Sequence, residues 1–394
     1  MADLLQPDPV NNKVLILAGE ASGDLHGSRL VTAMLRRRPE LCFSGMGGRE
    51  LAAAGVTLLF DSKKIAVVGL AEVISHLPDI LAARKILRNA MRTERPALLI
   101  LIDFPDFNLM LAKYARKLGI PVFYYITPQV WAWRSGRVKT IAARVDRIGV
   151  ILPFEEGFFR SRGLDAEYVG HPLLDSVKSS IERNEFCTMH NIDPGSICIG
   201  LLPGSRTKEI ANLLPTLLQS AMRLQQGRAG LKKMVFLIPL ASSISEQEIR
   251  SNGLDEFGAD LDIRLITDNT HDMMAACDAA VVVSGTVTLE LALLNTPMVV
   301  VYKVSNATYR IGRMLVNRDL KYFSLVNLIA GKAIVTELLQ DEVTPERIEE
   351  ELNSILFDES RRNAMLRDLE QIRKRMGEAG ASEKAADLAL SLLQ

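Results

Sequence analysis

Cysteine is scarce and scattered: Cys42, Cys187, Cys198 and Cys277 are the four in 394 residues, and none forms a CxxC pair. That excludes a disulfide framework and a thiolate zinc site, and implies reduced, mostly buried thiols in a cytosolic setting. The five histidines are equally dispersed, without an HExxH pair, so no metal centre is expected. Asp260-Leu261-Asp262 has the loose DxD spacing of a metal–diphosphate contact, but it enters an apolar run and three residues match easily by chance. Net charge of one sign is absent, with 47 Lys+Arg against 47 Asp+Glu. A surface built to hold nucleic acid is therefore not expected. No apolar run approaches the roughly 18 residues of a spanning helix. Residues 1–12 lack the basic start and apolar stretch of a secretory signal, so a soluble or peripheral protein is expected. Low-complexity tracts and short-period repeats are missing. Gly45-Met46-Gly47-Gly48 does not fit GxGxxG, which removes the dinucleotide reading there and leaves no cofactor to predict.

What the chain does have is aliphatic residue in short runs. Hydrophobic residues make up 48% and charged ones 24%, enough for large cores, and the length favours two domains. Strand-like runs fall at 14–18, 41–44, 97–102, 121–126 and 147–152, then at 197–202, 234–240, 262–266, 279–283 and 298–302. Continuous apolar runs separated by helix-period segments mark strands buried on both faces of parallel sheets. The fold class is α/β, two doubly wound Rossmann-like domains facing across a cleft. The expected division is 1–170, 171–365, and C-terminal helices at 366–394 that cross back to the first domain or meet a partner chain, which would make a homodimer.

Chemistry-bearing residues cluster in the loops after these runs, where doubly wound sheets bind ligands. Leu202-Pro203-Gly204-Ser205-Arg206 and Ser284-Gly285-Thr286 each follow a strand and open a helix. They bring small residues, backbone donors and a forked cation to one place. Glu290, a turn later, offers an acceptor for a pair of hydroxyls, so diphosphate plus ribose is the chemistry this set suits. In the first half, Ala18-Gly19-Glu20-Ala21-Ser22-Gly23-Asp24 is a strand-to-helix turn. Ser22 and Gly23 either line a cleft or only make the turn. Asp103 follows the strand at 97–102. As a base it needs its pKa raised by burial. Asp106 is either a second carboxylate of the site or the N-cap of the helix that Pro105 delays. Trp131 and Trp133, the only tryptophans, would share a face if the segment alternates. Arg134, Arg137, Lys139, Arg144 and Arg147 then form a solvated face or meet phosphates. Leu70, Val73, Ile74, Leu77, Ile80 and Leu81 share one helical face ahead of Arg84, Lys85, Arg88, Arg92 and Arg95. That stripe is core packing or an interfacial segment on an anionic bilayer, and Pro78 is expected to kink or divide its helix.

Taken together, the segments AGEASGD (18–24), IDFPDFN (102–108), TPQVWAWR (127–134), LPFE (152–155), VGHPLLD (169–175), LLPGSR (201–206), SGTVTLE (284–290) and LVNLIAG (325–331) resemble the lipid-A-disaccharide synthases, inverting glycosyltransferases of the two-domain GT-B fold. Val326 stands where that family usually has proline. The resemblance implies transfer of 2,3-diacylglucosamine from its UDP derivative to 2,3-diacylglucosamine 1-phosphate. The products are a β-1,6-linked disaccharide 1-phosphate and UDP, made at the inner face of the inner membrane. It implies Asp103 as the base, with Asp106 and Glu20 as rivals, and Arg206 on the departing diphosphate. Gly204, Ser205, Ser284, Gly285, Thr286, Glu290 and Asn327 would hold UDP. Ser22, Gly23, Asp24, Asp106, Asn108 and Trp133 would surround the acceptor, and the stripe at 70–81 would face the membrane. Two other readings fit the residues: a GT-B enzyme acting on UDP-N-acetylglucosamine, or a non-catalytic nucleotide-sugar binding protein.

Overall fold

The computed structural model describes residues 11–65, 76–133, 135–227, 232–241, 243–305, 309 and 320–393. The chain divides into two compact units, Met1–Asp175 with Glu378–Gln394, and Ser176–Gly377.

The first unit is built on a parallel sheet of seven strands: β1 (Lys13–Ala18), β2 (Cys42–Gly47), β3 (Thr57–Asp61), β4 (Leu98–Ile102), β5 (Val122–Tyr125), β6 (Arg147–Val150) and β7 (Ala166–Tyr168). Their order is β3-β2-β1-β4-β5-β6-β7. Each central strand is apolar on both faces because helices cover both. Leu15, Leu17, Leu99, Leu101, Val122 and Tyr124 pack on one side. Val14, Ile16, Leu98, Ile100, Phe123 and Tyr125 pack on the other. Burying one such side chain contributes about 1.5–3 kcal/mol, which is why these runs were continuous in sequence. The second unit repeats the plan with β8 (Ile197–Leu202), β9 (Met234–Pro239), β10 (Ile263–Ile266), β11 (Ala279–Val283), β12 (Met298–Tyr302) and β13 (Thr336–Leu339), in the order β10-β9-β8-β11-β12-β13.

In both sheets the chain winds outward to one side, returns, and winds to the other. The reversal lies between β1 and β4 in the first unit and between β8 and β11 in the second. Register pairs Ala18 with Ile102 and Leu202 with Val282. The loops that leave these four strand ends are therefore neighbours in pairs.

Several local expectations need correction. Pro78 lies in the first turn of the helix Leu77–Glu94, where a missing N–H costs nothing. It starts that helix and does not kink it. Leu70, Val73 and Ile74 lie outside the described residues. Of the rest of the stripe, Leu77 and Leu81 are 49% and 51% exposed, whereas Ile80 packs against the core. Several cations that follow are structural: Arg88 lies over the Tyr114 ring at 4.2 Å and Arg95 donates to the Leu118 carbonyl. The C-terminal helix Ala381–Leu390 covers the sheet of the first unit through Ala385, Ala386, Leu388 and Ala389. Ion pairs from Arg37 to Glu383 and Asp387 hold its outer face.

Asp24 holds the start of this unit together. It is buried in the helix Ala21–Arg37, and its carboxylate accepts hydrogen bonds from the amides of Gly48, Glu50 and Leu51 at 2.7, 2.9 and 3.1 Å. It thereby caps the helix Arg49–Ala53 from outside that helix. Asp24→Ala orphans three buried or half-buried donors and is expected to destabilise the chain by about 2–3 kcal/mol. Asp24→Asn, which keeps one acceptor, should cost less. Urea unfolding followed by circular dichroism measures both, and an unchanged midpoint for the alanine variant would remove this role.

Candidate active site

In the first unit the chain leaves β4 through two consecutive left-handed residues, Asp103 (φ 44) and Phe104 (φ 46). Neither is glycine, so the turn is strained and needs support. Support comes from all sides. The Asp103 amide donates to the Ile126 carbonyl, and Asn108 and the Tyr124 hydroxyl donate to the Asp103 carbonyl, both at 2.8 Å. Ile126 is itself left-handed, at φ 59. The Phe104 ring lies on Gly19, where a β-carbon would fall 2.2 Å from it. The glycine at 19 is thus required by this ring, and no positive φ is involved. The result holds Asp103 at the strand end, partly buried and close enough to Glu20 to feel its charge. Burial, and then the neighbouring Glu20 carboxylate, push the Asp103 carboxyl up to about 6, with a hydrogen bond from the Phe104 backbone pulling the other way.

Phe104 takes the N-cap position of the next helix, Pro105–Lys117. Asp106 is therefore not the N-cap that its place after Pro105 suggested. It sits in the first turn, is exposed, and pairs with Arg137. Asn108 is fully buried and its amide N–H groups serve the carbonyls of Ile102 and Asp103. Gly23 is buried against Ile102, and Ser22 is exposed. Asp24 spends its oxygens on the amides already described.

The tryptophans do not share a face. Residues 130–132 form a turn and Trp133 a single bridge, not a strand, so alternation does not apply. Trp131 is buried, donates to Glu155 at 2.8 Å and meets the Phe154 ring edge-on, while Trp133 is 44% exposed. Glu155 is a buried carboxyl that burial pushes up to about 7 against hydrogen bonds from Trp131, Leu152 and Ile151. Arg144 donates to the Leu109 carbonyl, and Arg147 pairs with Asp165 and Glu167. These arginines are structural ties, and Arg134 lies outside the described residues.

In the second unit, β8 runs into Pro203-Gly204-Ser205-Arg206 and the helix Thr207–Gly227. Gly204 has φ 119, a conformation that favours glycine. The amides of Ser205 and Arg206 point at one carboxylate, Glu209, at 3.1 and 3.3 Å, and the Arg206 guanidinium reaches its other oxygen at 2.8 Å. The loop is thus an anion cradle already holding an anion from its own helix. Arg206 is otherwise 71% exposed. Beside it, β11 runs into Ser284-Gly285-Thr286. Gly285 has open space where a side chain would stand, and Thr286 is exposed. The Ser284 hydroxyl donates to the Phe323 carbonyl at 3.3 Å.

Glu290, in the helix Val287–Leu293, lines a cavity of 390 Å³ with Lys178, Ser180, Asn269, Thr270, His271 and Asp272. Burial raises its carboxyl, and His271, 3.5 Å away, pulls it back. Asn327 is 1% exposed and its amide is fully engaged, donating to Val335 and Glu337 and accepting from Ile334 and Val335. Glu337 in turn accepts from the Phe323 and Ser324 amides. Asn327 therefore reaches Ser284 only through Glu337 and the chain at Phe323. Asp262, of the DxD match, pairs with Lys233 and Arg264.

Sequence reasoning passed over Glu209, His271 and Glu155. A glutamate three residues after Arg206, at the third helical position, was the available signal for the first. Glu155, third residue of its own helix, carried the same one, its carboxylate accepting from the Leu152 amide, and His271 carried none, because its partner is distant in sequence.

Residues 14–391 match the family model described as Lipid-A-disaccharide synthetase. A lipid-A-disaccharide synthase of Syntrophus aciditrophicus is 48% identical, over 98% of this chain and 99% of its own length. That of Myxococcus xanthus is 45% identical over 97% of each chain. Among solved structures, Acinetobacter baumannii MurG superimposes with a TM-score of 0.62 at 15% identity, covering 96% of this chain and 99% of its own. The calicheamicin glycosyltransferase CalG4 gives 0.60 at 14%, covering 97% and 98%. At such identities the likeness is one of fold, and that fold is the GT-B type. Full-length agreement with the family model and with relatives above 40% identity decides the rest: the chain belongs to the lipid-A-disaccharide synthase family.

Proposed function

We propose that Asp103 and Arg206 carry out the reaction of this family, a glycosyl transfer from UDP-2,3-diacylglucosamine to 2,3-diacylglucosamine 1-phosphate. The acceptor 6-hydroxyl oxygen attacks the anomeric carbon of the donor. Its proton passes to the Asp103 carboxylate as the bond from that carbon to the diphosphate oxygen breaks, and UDP leaves with the electron pair. One displacement inverts the centre and needs one base. The leaving group is a weak base already, so cations and backbone donors serve it in place of a general acid.

The observation that carries this reading is the pairing of loops at the two chain reversals. Asp103 and Glu20 follow adjacent strands in one unit, and the 203–206 and 284–286 loops follow adjacent strands in the other. Arg206 with the Ser205 and Arg206 amides takes the diphosphate, displacing Glu209. Gly204 gives the loop its turn. Ser284, Gly285 and Thr286 let the nucleotide approach the backbone, and Glu290 accepts from the ribose hydroxyls. Asn327 acts at one remove, by holding Glu337 and the chain at Phe323 beside Ser284. Between the two carboxylates after β4, Asp103 is favoured as base over Asp106. Its pKa stands near neutrality, where a base works best, whereas Asp106 is exposed and paired with Arg137. Ser22, Gly23 and Trp133 lie on the acceptor side of this scheme, and Asp24 and Asn108 support it from below. Both substrates are acylated, so the chain works peripherally at the inner face of the inner membrane, with Leu77 and Leu81, neighbours on one helical face, exposed at one end of its docking surface. No described helix is long and apolar enough to cross a membrane.

Outcomes in activity, stability and membrane binding test this. Arg206→Ala should lower kcat/KM about 10- to 100-fold in a disaccharide-forming assay, the loss of one charge-assisted contact. Unchanged turnover would dismiss its role. Asp103→Asn should cut kcat by about 100-fold or more, and the wild-type rate should fall as pH drops below about 6. The same substitution should stabilise the fold at pH 8. The folded chain holds the Asp103 proton up to about pH 6, while the unfolded chain releases it near 3.9. Stability therefore falls as pH rises through that window, and asparagine removes a cost of about 3 kcal/mol. A pH-independent difference in midpoint between wild type and variant would contradict it. Finally, Leu77→Ser and Leu81→Ser together should move protein from liposome-bound to free fractions in flotation. An unchanged distribution would detach this surface from docking.

A further inference from the structure

His271 stands on the chain that follows β10, carried there by Asn269, which turns left-handed at φ 53 into the helix Thr270–Ala276. Its Nε2 faces Glu290 Oε2 at 3.5 Å, and among the described residues that carboxylate is its polar partner. Both groups line the same 390 Å³ cavity. Asp272, the next residue, lines the same cavity. Buried, it accepts from the Ser180 amide at 2.6 Å and from the hydroxyls of Ser179 and Ser180 at 2.9 and 2.7 Å. The backbone that presents His271 is thereby tied to the segment that carries Lys178.

We infer that His271 is a positioning residue for the nucleotide's ribose: it fixes and keeps ionised the Glu290 carboxylate that accepts from the 2′- and 3′-hydroxyls. The inference rests on the reading that Glu290 holds those hydroxyls. A carboxylate gripping a vicinal diol must stay ionised and present its free lone pairs in one direction. Partly buried on its helix, Glu290 loses hydration that would keep it charged, and rotation about its side chain would spread those lone pairs over several directions. An imidazole N–H at one oxygen answers both needs. It gives the charge a donor inside the cavity and leaves the other oxygen for the sugar. His271 does this without touching the diphosphate or the reacting carbon, so its effect belongs to binding and not to the chemical step.

Calorimetric titration of the full chain with UDP and with 2′,3′-dideoxy-UDP separates this role from a structural one. Wild type should prefer UDP. His271→Ala should lose about tenfold in UDP affinity, the worth of one hydrogen bond to a charged group, with dideoxy-UDP binding unchanged. In the transfer assay KM for the donor should rise with kcat held, the mark of lost uniform binding. His271→Arg, which restores a donor to the same carboxylate, should recover most of the preference. Equal weakening of both ligands in His271→Ala, or no change in either, would overturn the inference. Glu290→Gln distinguishes the two levels. If it abolishes the preference while His271→Ala does not, the positioning role fails alone. If Glu290→Gln keeps the preference, the ribose reading fails and the role of His271 goes with it.

Discussion

Strand polarity is the constraint on which the rest depends. Every strand of a parallel sheet ends on the same edge, so every loop that leaves a carboxyl end is delivered to one side. Connections then bury most of those ends under helices. Only where the winding reverses do two adjacent ends diverge and leave a gap, and here that happens between β1 and β4 and between β8 and β11. Hydrogen bonding fixes the register at both places, pairing Ala18 with Ile102 and Leu202 with Val282. The residues assigned to chemistry are the first few beyond those pairs. Their grouping follows from backbone hydrogen bonds far more than from any contact among themselves.

Around Asp103 the fold accepts local strain for the sake of direction. Three non-glycine residues in the left-handed region, Asp103, Phe104 and Ile126, cost about 1–3 kcal/mol each. Ile126 is the costliest kind, being β-branched. They persist because the end of β4 is bonded to the end of β5, and Ile126 in turn to Gly149 at the start of the next strand's exit. The buried Asn108 and the Tyr124 hydroxyl complete the grip on the Asp103 carbonyl. Such a carboxylate is aimed by its scaffold, so little reorganisation remains for the reaction itself.

The central strands were legible because burial on both faces demands unbroken apolar runs: Val14 to Ala18, Leu98 to Ile102 and Ala279 to Val283 could hardly be anything else. β3, β7 and β13 were not, since each lies at a sheet edge, where one flank needs no apolar cover and residues such as Thr57, Glu167 and Glu337 interrupt the pattern. The site divides the same way. Glycine and arginine in a strand-to-helix loop announce themselves, and Gly204 does adopt a φ that favours glycine. Side chains whose meaning comes from a distant partner stay silent: Glu155 from Trp131, His271 from Glu290, Asn327 from Glu337. Trp131 and Trp133 misled because alternation holds only on a strand, and turns carry them to opposite environments.

Glu209 gives the 203–206 loop a property that a bare cradle would lack. With the Ser205 and Arg206 amides and one arm of the Arg206 fork already bonded to Glu209, the donors of the loop have an anionic partner from within. Under the role proposed for this loop, an incoming diphosphate would have to outcompete a tethered rival of lower charge. That would favour doubly charged guests over singly charged ones and make arrival an exchange of one counter-anion for another. The freed glutamate, still anchored to its helix, would then be at hand to reclaim the loop as the spent nucleotide departs, a built-in aid to turnover.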